Sequence, residues 1–162
     1  MKSRFLKSNE IKKLKFKSIG KNCKISNKVS FIGEKNIKIG DDVRIDDYTI
    51  LVAYDGSITI GSHTYIGGLN YISGSGNVKI GSFCDIAHGV KIYSKSDNYK
   101  LKKKQPYKEK VLISDNCIIG ANTVILPGSK LNKNVRVGAM TLVNKEIKSG
   151  RLYFRNKTKK IK

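Results

Sequence analysis

Residues 113–147 read ISDNCI-IGANTV-ILPGSK-LNKNVR-VGAMTL-VNKEI and divide into blocks of six. An aliphatic residue heads every block: Ile113, Ile119, Ile125, Leu131, Val137 and Val143. The fifth place is small or β-branched: Cys117, Thr123, Ser129, Val135, Thr141 and Ile147. An α-helix repeats every 3.6 residues and an alternating strand every two, so neither holds this period for so long. A short fixed repeat predicts a stacked solenoid, in which each coil buries its hydrophobes only against its neighbours.

The same blocks extend upstream. They start at Ile19 (IGKNCK, ISNKVS), are disturbed at FIGEKNIK, and resume at Ile39 (IGDDVR) and Ile45 (IDDYTI). A small insertion around Tyr54-Asp55-Gly56 precedes IGSHTY and IGGLNY, led by Ile60 and Ile66. ISGSGNVK, from Ile72, runs two residues over, and Ile80 and Ile86 lead IGSFCD and IAHGVK. Glycine follows the leading aliphatic at 20, 40, 61, 67, 81, 120 and 138. With Asn and Asp nearby, it suits sharp corners that need positive φ.

The pattern stops at Ile92. Residues 94–112 (SKSDNYKLKKKQPYKEKVL) carry no repeat and few apolar side chains. They are expected to form a long structureless excursion, of the kind that collects on a binding face. Residues 1–18 also lack the repeat. Ser8 or Asn9 is placed to cap a short helix through Glu10, Ile11 and Leu14, with Phe16 closing onto the first coil. This segment is expected to cover the open end of the solenoid; its apolar face is too small for firm membrane binding. The tail, 148–162, is basic, with Tyr153 and Phe154 placed to fold back on the last coil. The expected organisation is a cap over 1–18 and one domain over 19–162.

At 162 residues the chain is long enough for one sizeable core. No long uncharged apolar run is present, and Lys or Arg interrupts the first nineteen residues throughout. Neither a transmembrane helix nor a signal peptide is expected, so the protein is expected to be cytoplasmic. A net charge of +21 favours anionic partners, but the lysines are spread along the chain as on a solvated surface. Sparse aromatics and the lack of a recognition motif argue against a specific nucleic-acid binder. Cys23, Cys84 and Cys117 each lie four residues after a leading isoleucine, at the small inward place. They read as reduced space-fillers, not ligands, and no metal is expected.

These aliphatic-Gly blocks resemble those of the hexapeptide-repeat acyltransferases, over about residues 19–162. The resemblance implies an all-β fold: a left-handed parallel β-helix with three blocks per coil, here with a short N-terminal helical cap and one long inserted loop. Phe83–Tyr99 (FCDIAHGVKIYSKSDNY) is similar to the branch of maltose, galactoside and surface-polysaccharide acetyltransferases. There the loop often reads Ser-Asp-Asp-Tyr, against Ser96-Asp97-Asn98-Tyr99 here. Phe16–Ser26 (FKSIGKNCKIS) also resembles the start of the helix in those enzymes. The branch implies a homotrimer with its site between subunits, acetyl-coenzyme A as co-substrate and a small saccharide acceptor. Any membrane contact is at most peripheral. The first expectation for the acceptor is a sugar hydroxyl of a cell-surface polysaccharide, lipopolysaccharide or capsule, or its precursor. The alternatives are N-acetylation of a nucleotide-linked amino sugar and a non-catalytic β-helical binding module.

Thioester acyl transfer needs a base beside the acceptor and a groove for the donor arm. Gly120-Ala121 and Gly138-Ala139 lie 18 residues apart, one full coil, and so should stack. The resemblance implies that they contact coenzyme A. Lys145, with Arg155, Lys157, Lys159 and Lys160, is placed to meet the nucleotide phosphates. The family tail often reads Tyr-x-Gly-Asn-Pro-Ala, against Tyr153-Phe154-Arg155-Asn156-Lys157-Thr158 here. The family's catalytic His-Pro pair falls on Asp97-Asn98, so the base is sought elsewhere. His88, third in IAHGVK, is at a corner beside the loop, and imidazole takes a proton at neutral pH. Asp97 is assigned as its orienter, as an acceptor ligand, or as the base itself if desolvated. Ser96 and Tyr99 are assigned to the acceptor, and His63 is a third choice for the base.

Overall fold

A computed structural model describes residues 2–97, 106–155 and 157–160. Short parallel strands, one from each coil, form three sheets of seven, eight and six strands, the eighth strand of the second being an antiparallel addition at the C-terminal end. The chain is the left-handed parallel β-helix expected. The first face carries the column Ile19, Ile39, Ile60, Ile80, Ile113, Leu131, Ile147. The second carries Ile25, Ile45, Ile66, Ile86, Ile119, Val137 and Tyr153. The third carries Phe31, Leu51, Ile72, Ile92, Ile125 and Val143.

These columns are the core, and all but Ile19 and Phe31 are fully buried. Each buried side chain adds roughly 1.5–3 kcal/mol of transfer free energy, set against the entropy of ordering the coil. The fifth-place residues also point inward, where Thr49 and Thr64 donate to Gly67 O (2.8 Å) and Gly81 O (2.9 Å). Cys23, Cys84 and Cys117 are unpaired thiols at the same place, each 3.2 Å from a carbonyl oxygen of the next coil. Ile147 departs from the block count: it pairs with Leu131 and ends a first-face strand, because the last coil is shortened.

Corner glycines have a different cause from the one the sequence suggested. Positive φ falls mainly on residues one or two places further on, such as Asn22, Asp42, Asn116, Asn122 and Asn134. The glycine after the leading aliphatic is instead demanded by coil spacing. A Cβ at Gly120 would lie 2.4 Å from Ala139 N and 2.7 Å from Gly138 C.

The N-terminal helix spans Ser8–Lys13, with Lys7, not Ser8 or Asn9, in the N-cap position. Glu10 supplies the capping contact by accepting the Lys7 N–H at 2.8 Å. Leu6 and Phe16 pack against the core, and the Phe16 ring meets Phe31 edge-on at 4.8 Å. Arg4 grips the Glu10 carboxylate with both Nη atoms (2.7 and 2.6 Å), which with the Lys7 N–H holds that carboxyl at a pKa of about 2. A depressed carboxylate stabilises the fold above its unfolded value of about 4.3 and loses that contribution as pH falls. A carboxyl-carbon NMR titration is therefore expected to follow Glu10 to about 2. A midpoint near 4 would show that the Arg4 grip does not form in solution.

The inserted loop is not wholly structureless. Lys95–Asp97 pairs antiparallel with Pro106–Lys108, setting Ser96 opposite Tyr107 and Asp97 opposite Pro106. Glu109 N–H donates to Ser94 O at 3.0 Å and closes the base of this hairpin. Its strand register is not broken by the detour, since Ile80 still pairs with Ile113. At the other end of the chain, Arg151–Phe154 joins the second face and turns back antiparallel to Lys157–Lys160. No helix among the described residues is long and apolar enough to cross a membrane.

Candidate functional site

The corner between the second and third faces gathers the residues of interest. Strand register there stacks Asp46-Asp47, Gly67-Gly68, Ala87-His88, Gly120-Ala121, Gly138-Ala139 and Phe154-Arg155, one pair per coil. Backbone bonds lock the stack: Gly67 N–H to Ile86 O (2.8 Å), Ala87 to Ile119 O (2.9 Å), Gly120 to Val137 O (2.8 Å). Coils repeat at about 4.8 Å. His88 thus stands one coil from Gly68 on one side and one from Ala121 on the other. His88 and the Gly-Ala pairs, reached by separate sequence arguments, share one edge.

Gly68 forms the floor between His88 and the acidic pair. A Cβ there would lie 2.8 Å from Asp47 O and 3.7 Å from His88 Cδ2. Beyond it, Tyr65 O–H donates to Asp46 Oδ2 at 2.8 Å, and Arg44 Nε donates to Asp46 Oδ1 at 2.7 Å. Burial and the neighbouring Asp46 push the Tyr65 phenol up, so it remains a donor. Asp47 Oδ1 accepts the hydroxyls of Ser26 (2.5 Å) and Ser3 (2.8 Å), with Lys28 Nζ 3.6 Å from Oδ2. These contacts hold the Asp47 carboxyl below its ordinary range, so it stays anionic and is a poor base. The His88 ring is exposed and stands edge-on to Tyr65, centroids 6.5 Å apart.

Asp46, Asp47, Gly68 and His88 line a groove of about 470 Å³, walled by Arg44, Tyr48, Leu69 and the N-terminal Ser3, Arg4 and Phe5. Tyr48 and Leu69 hold positive φ (60° and 63°) and are 56% and 59% exposed. The same turn position holds positive φ at Asp42, His63, Phe83 and Met140, so the conformation belongs to the corners of the repeat.

Other sequence candidates are distributed differently. Asp97 and Ser96 lie past the far end of the strand Lys91–Tyr93, so one chain does not bring Asp97 to His88. Asp97 is exposed, and Tyr99 falls outside the described residues. Gly120 and Gly138 are explained by packing, the latter beneath Phe154, where an added Cβ would meet the ring at 2.4 Å. Ala121 and Ala139 are the pairs' outward members, Ala139 the more exposed. Lys145 lies past Val143, across the third face from this edge, and its Nζ stands 5.1 Å over the Tyr153 ring. His63 occupies the corner between the first and second faces, stacked on Phe83 at 4.8 Å and 3.6 Å from Asp42.

Arg44, Asp46, Asp47 and the N-terminal wall were missed from sequence. Their signal was the doublet in IDDYTI, an acidic pair in a chain with 33 Lys and Arg against 12 Asp and Glu. Unequal coil lengths hid its alignment with Ala87-His88.

The bacterial transferase hexapeptide model (six repeats) matches residues 110–145. The dTDP-4-amino-4,6-dideoxy-D-glucose acyltransferase of Escherichia coli is 34% identical over 152 residues, spanning 88% of this chain and 79% of that protein. The bifunctional protein GlmU of Clostridium botulinum is 33% identical over 115 residues, but the match covers only 22% of its length. Among solved structures, a variant of AntD, an N-acyltransferase from Bacillus cereus in complex with dTDP-4-amino-4,6-dideoxyglucose and coenzyme A, superimposes with a TM-score of 0.90. It is 32% identical, and the match covers 98% of this chain and 90% of AntD. The polySia-specific acetyltransferase NeuO, at 20% identity and a TM-score of 0.56, shares the fold. The chain belongs to the hexapeptide-repeat acyltransferases.

Proposed function

We propose that this acyltransferase moves an acyl group from a coenzyme A thioester to the amine of a nucleotide-linked amino sugar, with a dTDP-4-amino-4,6-dideoxyhexose as the model acceptor. The observation that carries the reading is 34% identity across 88% of the chain to an enzyme of that activity. An amine acceptor displaces the polysaccharide hydroxyl that the sequence first favoured. The groove offers that amine two carboxylates, Asp46 and Asp47, paired with Arg44 and Lys28.

The transfer forms a C–N bond, breaks the thioester C–S bond and frees a proton from nitrogen. His88 receives that proton, as the outward imidazole between the acidic pair and the Gly-Ala edge. Asp47, fixed as an anion by Ser3, Ser26 and Lys28, holds the approaching amine but does not take its proton. Tyr65 and Arg44 keep Asp46 oriented. The donor arm runs along Ala121 and Ala139 toward the basic C-terminal hairpin, where Arg155, Lys157 and Lys159 line a recess with Phe154. Asp97 and Ser96 reach the acceptor only from a neighbouring copy, which the third face favours. Its outward column reads Ile50, Tyr71, Lys91, Val124 and Leu142, whereas the first face carries Lys38, Lys79 and Lys130. Met140 and Leu142 stay 82% and 47% exposed beside it, apolar area that a second and third copy would cover.

A thiol-release assay tests the reading. Free coenzyme A is expected from acetyl-coenzyme A with a dTDP-amino sugar, and none with sugars offering only hydroxyls. Turnover with a hydroxyl acceptor and none with the amine would overturn it.

A further inference from the structure

The N-terminal segment does more than cover the open end of the solenoid. That task is met by Leu6 and Phe16, which pack onto the core. Residues 3–5 run instead along the functional edge, over the coils that carry Ser26-Asn27 and Asp46-Asp47. The segment is fixed there by Leu6 N–H to Ile25 O (2.8 Å), Asn27 N–H to Arg4 O (2.9 Å) and Arg4 N–H to Asn27 Oδ1 (3.0 Å). Phe5 forms an isolated antiparallel bridge to Ser26. So placed, Ser3, Arg4 and Phe5 form one wall of the groove that ends at His88.

The wall's chemistry is specific. The Phe5 ring is 41% exposed although its backbone is docked, so the fold leaves this aromatic surface open to the groove. The Arg44 guanidinium lies 5.5 Å over the Phe5 ring and 5.5 Å over the Tyr65 ring, held between the two. Arg4 is pre-oriented by its double contact to Glu10 and by Nη1 donating to Phe5 O at 3.2 Å. A guanidinium has five N–H donors, so both arginines keep donors over for a further oxygen ligand. Two fixed guanidiniums beside an open aromatic ring match an anionic group joined to a flat base.

We propose that Arg4 and Phe5 are acceptor-binding residues that take the nucleoside diphosphate of the acceptor: Arg4, with Arg44, the diphosphate oxygens, and Phe5 the base. This rests on the nucleotide-sugar reading above and adds to it the element that recognises the nucleotide. It also orders the edge, with nucleotide at the N-terminal wall, amine at Asp47 and His88, and donor beyond Ala121.

The test is calorimetric titration of the folded, full-length protein with dTDP alone and, separately, with coenzyme A. Arg4→Gln and Phe5→Ala are each expected to weaken dTDP binding about tenfold or more, the loss of one charge-assisted contact or one stacking partner. Coenzyme A affinity is expected to stay within about twofold of the parent, since the recess of Phe154, Arg155, Lys157 and Lys159 shares no residue with this groove. Glu10→Gln separates recognition from simple docking of the segment. It removes the carboxylate that orients Arg4 but keeps the guanidinium, so dTDP binding should weaken less than in Arg4→Gln, and Phe5→Tyr should keep binding close to the parent's. Equal losses in Arg4→Gln and Glu10→Gln would overturn the proposal in favour of a structural wall. Unchanged dTDP affinity in Arg4→Gln and Phe5→Ala would overturn it outright. Absence of dTDP binding by the parent protein would instead defeat the nucleotide-sugar reading itself.

Discussion

Replacing His88 with alanine is expected to lower kcat for acyl transfer to a dTDP-amino sugar by about 10²–10⁴-fold, or about 3–5 kcal/mol of transition-state free energy. The expectation follows from position. His88 is the imidazole at the junction of the groove carrying Asp46 and Asp47 and the Gly-Ala edge, whereas His63 occupies a different corner, stacked on Phe83. His88 is exposed at a turn whose backbone is held independently, by Gly89 N–H to Gly68 O (3.0 Å) and Asn122 N–H to His88 O (3.0 Å). Truncating its ring should therefore leave the fold and coenzyme A binding intact, and the loss should appear in kcat. Full activity in His88→Ala together with loss in Asp97→Ala would move the base to the inserted hairpin and require that a neighbouring copy deliver it.

The second large effect is on stability. Gly120→Ala is expected to destabilise the last coils by about 3 kcal/mol, the upper end for overpacking, and to lower Tm by roughly 6–12 °C. The new Cβ would meet only backbone: Ala139 N at 2.4 Å, Gly138 C at 2.7 Å and Ala139 Cα at 2.8 Å. No side-chain rotamer can relieve such a contact, so the coil spacing itself must open. Because a solenoid is held by nearest-neighbour interfaces, the damage should be local, with hydrogen exchange rising from Gly120 toward the C-terminus while the early coils stay protected. Ala121→Ser, one residue on and facing outward, is the matched control and should leave Tm nearly unchanged. A Tm for Gly120→Ala within about 1 °C of the parent would show that the coils are not packed this closely.

The sequence exposed the architecture because a solenoid writes its core into a single repeated place. Ile113, Ile119 and Ile125 head three consecutive blocks and fall on the three faces in turn. It hid the site for the converse reason. Corner residues are free to differ from coil to coil, so Asp47, Gly68, His88 and Ala121 share an edge without sharing a residue type. Their alignment depends on coil lengths that vary between Ile25 and Ile119, and the register emerges only when the strands pair. Local geometry was obscured in the same way. Tyr48, Leu69 and Met140 adopt positive φ where intrinsic preference calls for Gly or Asn, a conformation forced by the turns on either side. The N-terminal wall was the least accessible, since only tertiary docking brings Arg4 and Phe5 to the coil that carries Asp47.

The hairpin that interrupts the repeat has a consequence for how such enzymes diversify. Ile80 and Ile113 are neighbours in the ladder although 33 residues separate them, against 18 between Ile113 and Leu131. The detour leaves and rejoins at one point, sealed by Glu109 and Ser94, and the coils on either side do not register its length. Doubling such a loop costs only about 0.6 kcal/mol of closure entropy. Heritable variation can therefore lengthen, shorten or replace this segment while every coil keeps its partners. Lineages sharing one scaffold are free to vary this segment without first having to become more stable.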